Sequence, residues 1–209
     1  MEFVIILPVL VMSAVVHEVS HGLAALWLGD PTAKYADRLT LNPLKHLDPF
    51  GSVILPLLLV VARSPFFIAW AKPVPYNPYN LRDQKYGPAI VGVAGPLSNI
   101  FIALIFGFFL KIILIMGNIP ADFSSFTFVI FYYVILINLM LAFFNLIPIP
   151  PLDGSKLLFA FLPIQEETKM RLEQFGFMFL FLLIFLLSEP ISVFLRAVQD
   201  LFFRIVVGI

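Results

Sequence analysis

The sequence contains no cysteine, which excludes disulfides and thiolate metal sites alike. Charge is scarce as well. Only 12% of residues are Asp, Glu, Lys or Arg, thirteen basic residues balance thirteen acidic ones, and the basic ones are scattered along the chain. A nucleic-acid binder needs a clustered basic face, so nucleic acid is not an expected partner. Histidine occurs only three times, and with thiolates gone, a tightly held transition metal must be bound by His with Asp or Glu. No basic stretch precedes the first apolar run, and no small-residue cleavage site interrupts it before residue 17. A removable signal peptide is therefore not expected.

What the chain has in quantity is apolar surface: 61% of residues are hydrophobic and 15% aromatic. Such a composition belongs to a multi-pass integral membrane protein, with the lipid bilayer as its solvent. Apolar runs cover residues 3–28, 53–62 with a second piece at 66–71, 89–116, 126–147 and 175–187. The last stretch, 191–209, differs. Ile191, Phe194, Leu195, Val198, Leu201, Phe202 and Ile205 recur at helical spacing, while Arg196, Gln199, Asp200 and Arg204 take the other side. This is the pattern of an interfacial or partner-packing helix, with a weaker case for a final span. The expected fold is an all-α polytopic membrane protein, a bundle of about 4–6 transmembrane helices. One domain is expected over residues 1–209, with a core at about 1–156 followed by C-terminal helices.

Lys and Arg set the expected orientation. Residues 29–50 hold Lys34, Arg38 and Lys45, the next connection holds Arg63, Lys72, Arg82 and Lys85, and Lys156, Lys169 and Arg171 follow Asp153, whereas 117–125 holds none. The 117–125 loop is expected outside. The ends of the first helix and of the 126–147 helix are then cytoplasmic, so those two helices run parallel. Residues 29–88 must cross an even number of times. The 53–62 run is short for a span at about 1.5 Å per residue, and Pro56, Arg63 and Pro65 interrupt it. A re-entrant segment over residues 51–71 is expected, with a pair of short spans as the alternative. Broken backbone at that depth survives only where protein or a water-filled cavity satisfies it, so this part should line a cavity.

Within the first apolar run stands His17-Glu18-Val19-Ser20-His21. Positions i and i+4 share a helix face, so the two histidines can grip one metal ion with Glu18 beside it, the arrangement of a zinc peptidase. An ionisable residue at mid-membrane depth costs about 2.5–3.5 kcal/mol on insertion scales; three within five positions call for a function. A helix over 3–28 would be about 39 Å long and leave His21 about 10 Å short of its end, placing the metal below the surface. Taken alone, the pattern also admits two histidines capped by backbone carbonyls.

A catalytic zinc site takes three protein ligands and keeps one position open. The 126–147 helix runs into Asn145-Leu-Ile-Pro-Ile-Pro-Pro-Leu-Asp153-Gly154, which brings a carboxylate to a depth like that of His21. Asp153 is the first choice for third ligand. The alternatives are a plain Asp-Gly turn at 153–154 and Asp48 as the ligand instead. Asp48 lies in a polar cluster with Asn42 and His46, flanked by Pro43, Pro49 and Gly51; His46 either satisfies a turn, bonds near the metal or positions substrate. Gly92, Gly95 and Ser98 read as small residues that let helices pack closely, and Asn99, within the membrane, needs a partner. Asn42, His46, Asp48 and Asn99 are the candidates for substrate-binding or supporting roles. Residues 71–88, rich in Pro and Asn, read as an ordered loop of polyproline and turn character.

These residues resemble the site-2 protease family of intramembrane zinc metalloproteases, in its compact bacterial and archaeal form. HEVSHG (17–22), NPLKHLDPFG (42–51), AKPVPYNP (71–78), GPLSN (95–99) and NLIPIPPLDG (145–154) stand in family order. No stretch resembles an inserted PDZ-like domain or a CBS pair. The resemblance implies Zn2+, one per chain, on His17, His21 and Asp153, water activated by Glu18, and an oxyanion stabilised by Asn145. It also implies a small membrane-embedded β element near residues 35–44 that holds substrate extended. The expected activity is zinc-dependent hydrolysis of peptide bonds in or near transmembrane segments of other membrane proteins, with the site toward the cytoplasm of a bacterial or archaeal cell membrane. A homo-oligomer is left open. Intramembrane His and Asp also mark ion pathways, so a metal-ion transporter or sensor and an inactive membrane scaffold stand as alternatives; Glu18→Gln separates them, because it spares metal flux but not proteolysis. A prenyl-protein peptidase shares HExxH but gives no reason for the Asp153 arrangement.

Overall fold

The computed structural model describes residues 2–54, 57–58, 61, 71–117 and 120–209, and these are mostly helical. In chain order the helices are α1 (Glu2–Trp27), α2 (Thr32–Tyr35), α3 (Gly87–Ile115), α4 (Phe126–Asn145), α5 (Gly154–Phe161), α6 (Glu166–Gln174) and α7 (Gly176–Phe202), the last continued by a wide turn, Phe203–Val207. Among the described residues α1, α3, α4 and α7 are long and apolar enough to cross a membrane. Lipid offers no hydrogen bonds, so a helix that satisfies its own backbone is the form such apolar runs must take. Ser125 starts α4 by accepting the Phe128 N–H on its hydroxyl at 3.3 Å, which meets one of the donors a helix start leaves unpaired.

Side-chain contacts fix the directions of the helices. Ser13 of α1 meets Asn138 of α4, and downstream of each, His17 meets Asp153, as two parallel helices require. Helix α3 runs the other way: Asn99 lies at the Ser13 level, Gly95 faces His17 and His21, and Val91 reaches His21. The bundle is therefore layered. At one end Ala103 and Leu110 of α3, Phe128 and Ile135 of α4, and Phe203 and Val207 after α7 form a buried apolar core. Asn99 and Asn138 form a polar middle layer, and the ionisable residues lie beyond it. Helix α7 turns its surface to lipid, with Phe177, Phe181 and Phe185 exposed at successive i,i+4 positions.

Two helical stretches meet in α7 at a kink, Leu187 (φ −121°, ψ 20°). The second stretch leads into the wide turn Phe203–Val207, where Phe203 stacks on Tyr132 of α4, as a partner-packing segment would. Pro190 removes one backbone donor and its ring presses on the carbonyl four residues earlier, which is the local cause of the kink. The proposed β element at 35–44 is corrected: α2 ends at Tyr35, Asp37 turns the chain at φ 54°, and Asn42 caps a short 3-10 turn, Pro43–Lys45. Among the described residues the β pairing is a single antiparallel bridge, Leu47 with Ala71. Most of the expected re-entrant segment, 51–71, lies outside the described residues; its start is a wide turn, Pro49–Ile54.

Candidate metal centre

Helix α1 presents His17 and His21 one turn apart, their rings edge to face with centroids 4.7 Å apart. His17 Nδ1 donates to Asn99 Oδ1 at 2.6 Å, and His21 Nδ1 donates to the Val91 carbonyl at 2.6 Å. These acceptors fix the tautomer, so each Nε2 carries a lone pair. Both lone pairs face one atom, Asp153 Oδ2, at 3.0 and 3.1 Å. Three electron-pair donors aimed at one another repel unless a positive charge lies among them, and two neutral imidazoles with a carboxylate are a good donor set for zinc. All three residues are buried and their donor atoms lie within 4.8 Å of one another. Helix α3 keeps the spot clear: a Cβ on Gly95 would lie 2.6 Å from both Nε2 atoms. The donor set and the cleared space fit a metal ion.

Asp153 reaches the histidines because the chain leaving α4 turns through its proline-rich segment and starts α5 at Gly154. Burial works against the Asp153 charge, while the neighbouring Lys156 ammonium favours it. Lys156 Nζ donates to the second carboxylate oxygen, Oδ1, at 2.9 Å.

Asn99 is fully buried, and its amide donates to Asn138 Oδ1 at 2.7 Å and to the Ser13 carbonyl at 3.3 Å. Asn138 in turn donates to Ser13 Oγ at 2.9 Å. Interhelical bonds of this kind in membranes average about 0.6 kcal/mol, too little to account for a buried chain of amides by stability alone. Its effect is to aim Asn99 Oδ1, and through it the His17 ring.

A cavity of about 580 Å³ opens beside the three residues. Leu7, Leu10 and Val11 of α1 and Leu141 and Phe144 of α4 supply apolar walls, while Glu18, His46, Asn145 and Lys156 add polar groups. Glu18 Oε2 accepts the backbone N–H of Val74 at 2.8 Å. Val74 belongs to a loop pinned at two points, where Lys72 N–H donates to the His46 carbonyl at 2.8 Å and Arg38 donates to the Lys72 carbonyl at 2.7 Å. Asn145 donates one amide hydrogen to the Leu141 carbonyl at 2.8 Å, leaving the other for the cavity.

The remaining candidates separate. His46 is buried, and its Nε2 donates to the Thr40 carbonyl at 2.8 Å. Asn42 Oδ1 caps its own turn by accepting the Leu44 N–H. Asp48 accepts from the N–H groups of Phe50 and Gly51 at 3.1 and 2.6 Å and is not in the His17, His21, Asp153 group. Sequence reasoning missed Val74, Lys156, Ser13 and Asn138. A backbone donor leaves no residue signature, whereas Lys156 at i+3 from Asp153 and an Asn within an apolar helix are readable signals.

An HExxH helix joined to a distant aspartate, a group that could hold a metal ion, inside a bundle of apolar helices, is the arrangement of a membrane-embedded metallopeptidase. Comparison with known proteins agrees. The model of peptidase family M50 matches residues 111–187. A Bacillus subtilis (strain 168) protein named "Putative zinc metalloprotease YwhC" is 39% identical over 179 residues, covering 84% of this chain and 77% of that protein. "Putative zinc metalloprotease Rip2" of Mycolicibacterium smegmatis is 28% identical over 191 residues, covering 87% and 67%. No solved structure matches the chain. The chain belongs to peptidase family M50, the site-2 protease family.

Proposed function

We propose that this protein hydrolyses peptide bonds within or near transmembrane segments of other proteins, with one zinc per chain on His17, His21 and Asp153. The observation that carries this is the convergence of both Nε2 lone pairs on Asp153 Oδ2 beside a cavity that also holds Glu18. When bound, zinc supplies a Lewis acid that brings the pKa of water to about 7 and polarises a carbonyl. Glu18 is the general base. With Oε2 held by Val74, it takes the proton from water and hands it to the leaving amine. Asn145 offers its spare amide hydrogen to the developing oxyanion. The apolar walls limit access of bulk water, which strengthens each of these interactions.

A helical substrate hides its carbonyls in intrahelical bonds and must unwind before it can be cut. Segments with Gly, Pro or Asn near the scissile bond are therefore cut faster, and equal rates for such a substrate and its Leu-substituted version would remove the idea. The site faces the cytoplasm, an orientation supported by the basic residues Lys34, Arg38, Arg82 and Lys85 that follow α1 and precede α3, where positive charge is retained inside. Because the chain has no cysteine, Asp83→Cys and Ser124→Cys labelled with an impermeant reagent in intact cells test the sidedness directly. Labelling of Ser124→Cys alone is expected; the reverse pattern overturns the orientation.

The deciding experiment is zinc content per chain with cleavage in reconstituted vesicles. Wild type should carry one zinc and cleave, Asp153→Ala should lose the metal, and Glu18→Gln should keep the metal and lose cleavage. Zinc unaffected by Asp153→Ala would remove that residue from the ligand set.

A further inference from the structure

Lys156 lies where three elements meet. It is three residues beyond Asp153 on α5, its stem lies against Gly92 of α3, where an added Cβ would come within 3.1 Å of both Lys156 Cβ and Cδ, and its ammonium stands 5.4 Å from the centroid of the Tyr76 ring. A generic i,i+3 ion pair at a helix start is exposed and contributes a few tenths of a kcal/mol. This one is enclosed on α3 by the missing side chain of Gly92 and on the loop side by an aromatic face that favours a cation. The two oxygens of Asp153 are thereby divided, Oδ2 to the histidines at 3.0 and 3.1 Å and Oδ1 to Lys156 at 2.9 Å.

We propose that Lys156 is a positioning residue that holds Asp153 to one-oxygen coordination of the metal and so preserves the open position at which water and substrate carbonyl are handled. It rests on His17, His21 and Asp153 being the metal ligands. Carboxylates bind metals through one oxygen or two, and a catalytic zinc site needs three protein ligands with a fourth position free. A charge-assisted bond to Oδ1 ties up the atom that would otherwise swing into that position. The division of oxygens also sets the plane of the carboxylate, as outer partners of metal ligands do.

The test is zinc K-edge X-ray absorption on wild type, Lys156→Met and Lys156→Arg, together with zinc content and cleavage. Lys156→Met should keep its zinc, show an edge and a nearest-neighbour fit with an additional oxygen scatterer, and lose cleavage by about 10- to 100-fold. Lys156→Arg, which keeps a charged donor, should return toward the wild-type edge. Lys156→Leu provides a second route: it too removes the charged donor to Oδ1, and it should move the edge in the same sense even if Lys156→Met fails to accumulate. An unchanged edge in zinc-loaded Lys156→Met, or in Lys156→Leu where that is the variant available, overturns the proposal whatever happens to stability. Zinc unaffected by Asp153→Ala is a different failure, one that removes the ligand set itself.

Discussion

The backbone N–H of Val74 donates to Glu18 Oε2 at 2.8 Å, so the carboxylate beside the candidate metal centre is aimed by a loop 56 residues away in the chain. Hydrogen bonds to charged groups contribute about 1.5–3 kcal/mol. Val74→Pro removes this donor, and the flanking Pro73 and Pro75 already suit an extended backbone. Cleavage should fall about 10- to 100-fold while zinc content stays at the wild-type level. A variant that cleaves normally would show that Glu18 needs no such support.

Asn99 aims His17 through a 2.6 Å bond. Loss of an outer partner of a metal-bound histidine typically costs 10- to 100-fold in metal affinity, so Asn99→Leu should release zinc to a competing chelator at about that much lower chelator strength. Asn99→Asp keeps an acceptor for His17 Nδ1–H and should hold zinc better than Asn99→Leu. Equal retention by both variants would count against a role in aiming the ring.

Gly95→Ala separates helix propensity from site geometry. Alanine in a helix interior is favoured over glycine by about 0.8–1.0 kcal/mol, yet the new Cβ would lie 2.6 Å from both His Nε2 atoms. Zinc binding should be lost or strongly weakened although the helical signal by circular dichroism is undiminished. Normal zinc content in this variant would place the metal elsewhere.

Asp30 is fully buried at the end of α1 and accepts four hydrogen bonds, from Thr32 N–H and Oγ, Asn77 N–H and the Asn80 amide. Burial raises its carboxyl, but these bonds, led by Thr32 and Asn80, outweigh burial and leave it below the ordinary 3.8. A depressed folded-state value stabilises fully above the unfolded value and is lost as pH falls through the folded one. Docking of residues 77–80 should therefore be constant from neutral pH down to about 4 and loosen below it. Hydrogen exchange at the Asn77 amide follows this directly. In Asp30→Ala the exchange should be fast already at neutral pH, with about 1–3 kcal/mol lost for the orphaned donors.

The grouping of His17, His21 and Asp153 is legible in the sequence because helical spacing pairs His17 with His21 and the loop charges make α1 and α4 parallel, which carries Asp153 to the same level. Asn99 is legible as an amide in lipid that needs a partner, although its partner, the His17 ring, depends on the register between α1 and α3. One expectation fails for local reasons. Residues 35–44 form no strand because Asp37 adopts a left-handed conformation and Asn42 caps a turn, choices made by single residues that alternation does not reveal. Ser188-Glu189-Pro190 follows the kink at Leu187, where two helical stretches meet, and the proline accounts for the break in the helix axis. The small residues at 92 and 95 do permit close helix approach, as their pattern suggests, but what approaches Gly95 is a pair of imidazoles.

The loop at residues 72–75, which lines the cavity through Pro73 and Val74, offers a strand no free backbone donor. Lys72 N–H is taken by His46 and Val74 N–H by Glu18, and Pro73 and Pro75 have none. A polypeptide unwound in the cavity exposes carbonyls in search of donors, and an open strand edge would bind it for as long as the ladder lasted. Along residues 72–75 no backbone donor is left for a ladder. The carbonyls of an unwound chain would have to find side-chain donors on this side of the cavity instead.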